Sequence, residues 1–307
     1  TNFAGLYAEN MGVIDLQHCL LNDAVQVAAD SAIVRIADSV IYMAESNDNA
    51  IVLDLQNEPR DPAFVNCEIA NINRIWLGSG TGKSAEIANC TLMQRANFQS
   101  LLSLPPPLVY CIKGSLSIFG SELSFLRTGI QVGEKYMPHQ PVAYLGPGLV
   151  IEPRPNAAAP ETGIQCRGSA EVLVNDCSIK KARVGVKVWD TARIAMAYSR
   201  IHECDYGVAD YAWGGAVDLG TQGQSPGQNF IGPTDGNADC WWYIQGPVPD
   251  CVLDENEVDM VRIYNATTDT VLAENNAWGT CDQYLPPHEY GIDCMCPEVF
   301  FTPNPAG

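Results

Sequence analysis

A glycine followed by alternating apolar residues recurs along this chain, as GLYA at Gly5, GIQV at Gly129, GIQC at Gly163, GVKV at Gly185 and GVAD at Gly207. The last three begin 22 residues apart. A second phrase accompanies the first, a short alternating strand, then a small residue, then a large aliphatic one. It appears in VIDLQHCLL around Cys19, AFVNCEI around Cys67, AEIANCTL around Cys90, EVLVNDCSI around Cys177 and RIAMAYSRI around Ser199. Period-two strands recurring every 20 to 30 residues with small residues at fixed places fit a solenoid coil and not a helix. In such a coil inward side chains stack on their equivalents roughly 4.8 Å above and below, so like must follow like.

The expected fold is therefore all-β, a single right-handed parallel β-helix of about ten coils. Residues 1–215 form the regular coils, and residues 216–307 form closing coils with a Cys/Trp-rich cap. Three Pro-rich segments interrupt the repeat and are expected outside it as loop insertions: SLPPPLVY after Leu102, GEKYMPHQPVAYLGPG after Val132 and EPRPNAAAPE after Ile151. Hydrophobic residues make up 47% of the chain and charged ones 17%, enough for one continuous core.

The twelve cysteines form two groups. Cys19, Cys67, Cys90, Cys111, Cys166, Cys177 and Cys204 lie in the repeat and read as core packing. Cys240, Cys251, Cys281, Cys294 and Cys296 crowd the irregular end and read as disulfide candidates of an oxidising compartment. A formal charge of −19 repels phosphate backbones and anionic lipid, which excludes nucleic-acid partners. No apolar run approaches the roughly 20 residues that span a bilayer, so membrane insertion is not expected.

With its G-h-x-h and N-C-x-h coils, the chain resembles the parallel β-helix repeats of the pectin-lyase-like superfamily. The run DLG…SPGQNFI, then AENNAWG and a last VFFTP strand, resembles the closing portion of secreted and cell-surface bacterial β-helix proteins. The resemblance implies the fold and a secreted or cell-surface location. It implies no single chemistry, since the group contains lyases, hydrolases and adhesins.

Among strings that could carry chemistry, LGSGTGKS at 77–84 fails as a phosphate loop, because the required first glycine falls at Leu77. Asp235, Asn237 and Asp239 alternate like the oxygen ligands of a Ca²⁺ loop, but the sixth-position glycine and twelfth-position glutamate are absent, so a solvated turn is the simpler reading. No other cofactor is implied. If the chain were an enzyme, the resemblance would direct attention to the basic cluster at Lys180, Lys181, Arg183, Lys187, Arg193, Arg200 and His202, with Lys181, Arg183 and His202 as the catalytic candidates. The 22-residue period sets Lys181 over Glu203, Arg183 over Asp205 and Glu171 over Arg193, so a charge ladder competes with catalysis. Asn89 heads a glycosylation sequon but falls in a coil expected to be packed.

Coil pattern begins by Gly5 with no amphipathic cap before it, and such an edge is ready to pair. The leading expectation is therefore an extracellular structural protein that self-associates head to tail into filaments or a surface layer. A polysaccharide lyase or glycoside hydrolase acting on acidic polysaccharide, with 133–148 and 152–162 walling a groove, is the first alternative. A carbohydrate-binding adhesin using the late aromatic residues Trp213, Trp241, Trp242, Tyr243, Trp278, Tyr284 and Tyr290 is the second.

Overall fold

The computed structural model describes residues 5–232 except 25, 45–49, 59–60, 81–82, 97–103, 138, 156, 158–159 and 221–226, and beyond them the strands Asp239–Gln245, Met260–Asn265, Val271–Leu272 and Gln283–Tyr284. Every regular element among these residues is a strand, and every pairing is parallel. The chain circulates through three faces, here called sheets A, B and C. One coil runs through Thr162–Cys166 in sheet A, Glu171–Asn175 in sheet B and Cys177–Lys180 in sheet C, and the next begins at Val184–Asp190 in sheet A. The result is a parallel β-solenoid of about 8 turns, fewer than the ten expected.

Register explains the repeat. Ile164, Val186 and Val208 align in sheet A, Val172, Ile194 and Val217 in sheet B, and Ile151, Ile179, Ile201 and Ile231 in sheet C. All of them are buried and belong to one hydrophobic core. The repeated glycine has a steric cause. A Cβ at Gly185 would lie 2.4 Å from Ile201 Cγ2 and 2.7 Å from the Gly207 carbonyl oxygen, so only hydrogen fits where the coil turns from sheet C into sheet A.

The small residue of the second phrase lies at the corner between sheets B and C. There a residue in the left-handed region, such as Asp38, Asn66, Asn89, Asp176 or Tyr198, redirects the chain. The following Ser or Cys points inward and makes two hydrogen bonds. Its side chain donates to the carbonyl two residues back, as Ser199 Oγ does to Ala197 at 2.9 Å. It also accepts the amide of the preceding coil, as Ser199 Oγ does from Cys177 N at 3.1 Å, Ser39 Oγ from Cys19 N at 3.0 Å and Ser121 Oγ from Cys90 N at 3.0 Å. An alanine there would leave that amide unpaired. The left-handed residues themselves point outward: Asn89 is exposed and donates to Asn66, contrary to the packed position expected for it.

The insertions are shorter than the sequence suggests. Val142–Leu145 is a sheet B strand between Ser115–Phe119 and Glu171–Asn175, which leaves only 133–141 as an excursion. Glu152 and Pro153 still pair with Ser124 and Phe125, and Val109 and Tyr110 belong to sheet A. Proline density concealed these strands, yet Pro153 ends its strand and Pro141 immediately precedes Val142, where no ladder amide is lost. At the far end, Tyr206–Ala212 pairs with Met260–Asn265, and Asp239–Gln245 lies on the far side of that strand, so chain order and stacking order differ.

Candidate functional site

The outer face of sheet A carries polar and aromatic side chains in register. In register along the axis stand Trp76, Tyr110, Gln131, Gln165, Lys187 and Ala209. Their neighbours Ile75, Val109, Ile130, Ile164, Val186 and Val208 are buried in the core, so strand alternation turns the first set outward. Two positions further along the strands, Trp189 aligns with Tyr211.

The aromatic residues are organised in two stacked pairs. Trp76 and Tyr110 have ring centroids 6.4 Å apart with planes 17° from parallel, and the Arg74 guanidinium lies 5.5 Å from the Trp76 centroid. Trp189 and Tyr211 are closer, at 4.3 Å and 13°, and Lys187 Nζ lies 5.1 Å from one ring and 5.4 Å from the other. Tyr110 and Lys187 are three turns apart, about 14 Å at the strand spacing, with the amides of Gln131 and Gln165 between them.

Charges border this strip. Glu134, just past the Thr128–Val132 strand, accepts the Tyr110 hydroxyl and faces Gln131 Nε2 at 3.4 Å and Arg167 Nη1 at 3.5 Å. Arg167 Nε lies 3.9 Å from Asp190, whose Oδ2 accepts the Gly168 amide at 3.0 Å. On the opposite border Arg127 pairs with Glu161 at 2.7 Å. Burial, then the Glu134 contact, raises the Tyr110 phenol above its usual range. Burial lowers the Lys187 ammonium below its usual range, and Lys187 has no carboxylate within ion-pair distance among the described residues. Its positive charge is held by ring faces, which leaves it able to meet an oxygen of a ligand.

The insertions 133–141 and 154–161 join this face at opposite edges, one leaving the strand Thr128–Val132 and the other entering Thr162–Cys166. The buried Gln94 braces the second side: its Nε2 donates to Asn73 O at 2.7 Å and Pro106 O at 2.9 Å, its Oε1 accepts Leu126 N at 2.8 Å, and its backbone oxygen accepts Arg154.

The basic cluster of the sequence does not converge. Lys180, Arg200 and His202 stand on sheet C, Lys181 and Arg183 at the corner leading to sheet A, Lys187 on sheet A and Arg193 on sheet B. Lys181 lies 3.9 Å from Glu203, Lys180 2.8 Å from Glu152, and His202 Nδ1 3.2 Å from Glu203. Glu171 and Arg193 are register partners, and Arg183 and Asp205 each have polar partners of their own. Of the three catalytic candidates, Lys181 and His202 are thus joined to one carboxylate in a charge ladder. Lys83 of the glycine-rich string pairs with Glu58, and among the described residues no helix follows it to present a phosphate.

The seven cysteines of the repeat are free thiols, all buried except the half-exposed Cys19. Cys251, Cys281, Cys294 and Cys296 lie outside the described residues, as do Asp235, Asn237, Trp278 and Tyr290, while Cys240, Asp239, Trp241, Trp242, Tyr243 and Tyr284 are placed by their strands alone. Among the described residues no three His, Cys, Asp or Glu side chains gather as a metal site. Trp213 is 78% exposed beside the sheet A strand that carries Tyr211. Sequence reasoning missed Trp76, Tyr110, Trp189 and Tyr211, although the 22-residue period would have set Trp189 over Tyr211.

Comparison of the chain with protein-family models, with curated proteins and with solved structures gives no match.

Proposed function

We propose that this chain is a non-catalytic, polysaccharide-binding β-solenoid of the pectin-lyase-like kind, working at the cell surface or as a secreted protein, and that a glycan lies along the outer face of sheet A. The observation that carries this reading is the alignment of two cation-bearing aromatic pairs, Trp76/Tyr110 and Trp189/Tyr211, on one face and along one axis. Aromatic faces accept the apolar faces of sugar rings, and the intervening half-buried amide of Gln165 suits a hydroxyl group. A strip about 14 Å long between the pairs matches several sugar units, a continuous chain and not a single small molecule.

The absence of catalysis in this reading follows from the charges. Lys181 and His202 are engaged with Glu203, and Arg167 serves Glu134 and Asp190 together. A proton-abstracting base or an acid and base pair needs groups free to change protonation at the reacting bond. The late aromatic residues that suggested an adhesin are not needed: the pairs on sheet A fulfil that role.

The test is a glycan array probed with the whole protein, followed by mass spectrometry of each bound polysaccharide after prolonged incubation. Retention of a polysaccharide with unchanged chain length is the expected result. New unsaturated or reducing ends would replace this reading with the lyase or hydrolase one, and an array with no retained glycan would reduce the aromatic pairs to a stabilising ladder. End-to-end self-association concerns the terminal turns and is a separate proposal, read by sedimentation of the same preparation: filaments support it and a single small species rejects it.

A further inference from the structure

The corner between sheets B and C carries, in successive described coils, Cys19, Ser39, Cys67, Cys90 and Ser121, and later Cys177, Ser199 and Asn229. Among these, one step alone sets thiol on thiol. Glu68 and Thr91 are register partners, so Cys67 and Cys90, each one residue earlier, occupy equivalent places one turn apart. The Cys67 amide lies 3.4 Å from Cys90 Sγ, and both side chains are buried, at 3% and 2% exposure. Cys67 Sγ also lies 3.2 Å from Val65 O, and Cys90 Sγ 3.2 Å from Ala88 O, so both sulfurs are directed to the same side of the corner. Equivalent Cα atoms of neighbouring turns stand about 4.8 Å apart, inside the roughly 4.4 to 6.8 Å that a disulfide spans.

The other described thiols lack this arrangement. Cys111 is aligned with Leu77 and Val132, Cys166 with Val132 and Val188, and Cys177 meets the Ser199 hydroxyl. Burial pushes the thiols of Cys111, Cys177 and Cys204 up to about 12. Cys67 moves the opposite way, because the Cys90 side chain beside it favours its thiolate. The pair therefore sets one sulfur against a second in the equivalent place of the next turn.

We propose that Cys67 and Cys90 form a reversible disulfide that staples two successive turns, made by exchange with a small-molecule disulfide of the glutathione class. When the corner opens locally and uncovers the 3% exposed Cys67, its thiolate attacks one sulfur of oxidised glutathione, a mixed disulfide forms and one glutathione thiolate leaves. Cys90 then gives up its proton and attacks the Cys67 sulfur, expelling the second glutathione. Two protein thiols are oxidised and one glutathione disulfide is reduced to two thiols, so electrons balance. The link closes a single turn of the solenoid and ties one rung to the next, where the backbone ladder alone holds them otherwise.

The experiment uses the full chain produced in parallel in a reducing and in an oxidising cellular compartment, denatured in an alkylating reagent and digested with trypsin. Cys67 and Cys90 fall in different tryptic peptides, 61–74 and 84–95. The oxidising preparation is expected to lose the free-thiol forms of both peptides together and to yield one linked species, which equilibration in reduced glutathione reverses, while Cys111 and Cys166 stay alkylated as thiols. The variant Cys90→Ser takes a residue already used at the equivalent positions 39, 121 and 199, so it retains the corner, and its peptide 61–74 should then carry a free thiol or glutathione. Free thiols at both positions in the folded, oxidised wild type, or bonds from either to other cysteines, would overturn the proposal. Neither outcome bears on glycan binding.

Discussion

Trp189 stacks on Tyr211 of the next turn with centroids 4.3 Å apart, and Lys187 Nζ lies over both rings. The strands beneath are two adjacent rungs of sheet A, so the backbone ladder fixes the rings at stacking distance before any ligand arrives. A binding surface built in this way loses little side-chain freedom on association, because the rings are already ordered.

The partly buried ammonium of Lys187 gives this face a pH signature. Burial lowers its pKa below 10.5, so between the folded value and 10.5 the unfolded chain holds more protons than the folded one. Stability contributed at this position therefore rises as pH climbs towards 10.5. Chemical denaturation of wild type and Lys187→Met across that range should show the wild type gaining relative to the variant; parallel curves would contradict the buried setting.

His202 offers the same logic nearer neutrality. Burial holds its imidazole below 6.5, opposed in part by Glu203, and Ser178 Oγ lies 3.4 Å from Nε2. As pH falls through 6.5 the unfolded chain takes up a proton that the folded chain resists, so stability is lost on acidification. The loss should be smaller in His202→Gln, measured by denaturant midpoints between neutral and mildly acidic pH.

The corner hydroxyls can be tested one at a time. Ser199 is fully buried and bonded to Ala197 O and Cys177 N. Ser199→Ala should cost on the order of 1 to 3 kcal/mol, since it strands the Cys177 amide. Ser199→Cys, with a thiol already accepted at the equivalent positions 67 and 90, should cost less than the alanine, and the reverse ranking in urea titrations would refute the ladder.

Gly185→Ala addresses the repeat itself. Its new methyl would meet Ile201 and the Gly207 carbonyl, both fixed by the packed core. Overpacking of this kind costs about 1 to 3 kcal/mol, to be read as a lower denaturation midpoint with unchanged circular dichroism at low denaturant. An unaltered midpoint would mean that the glycine repeat has no steric cause.

The fold was legible because a solenoid repeats its constraints: Gly163 and Gly185 face the same carbonyl and the same isoleucine methyl one turn later, so the sequence repeats as well. Strands beside proline, at Val142–Leu145 and Glu152–Pro153, are hidden in the sequence, since they are fixed by the register of neighbouring coils and not by local composition. The charge ladder could be anticipated where coils are 22 residues long, as Lys181 and Glu203 show. Trp76 and Tyr110 could not be aligned in the same way, because the insertion between them breaks the period and only the parallel register of their strands brings them together. Lys187 sat in the basic cluster from the outset, but its separation from Lys181 and His202 depends on which of three faces each residue occupies.

The most direct measurement is calorimetric titration of an oligosaccharide selected on the array into wild type, Trp76→Ala, Trp189→Ala and Tyr144→Ala. Tyr144 is an aromatic residue 49% exposed on sheet B, away from the proposed face. Loss of an aromatic contact in a binding centre costs about 1.4 kcal/mol or more, tenfold in affinity. The account predicts at least such a loss for both tryptophan variants, folded as judged by circular dichroism, and wild-type affinity for Tyr144→Ala. Undiminished binding by Trp76→Ala and Trp189→Ala together would contradict it.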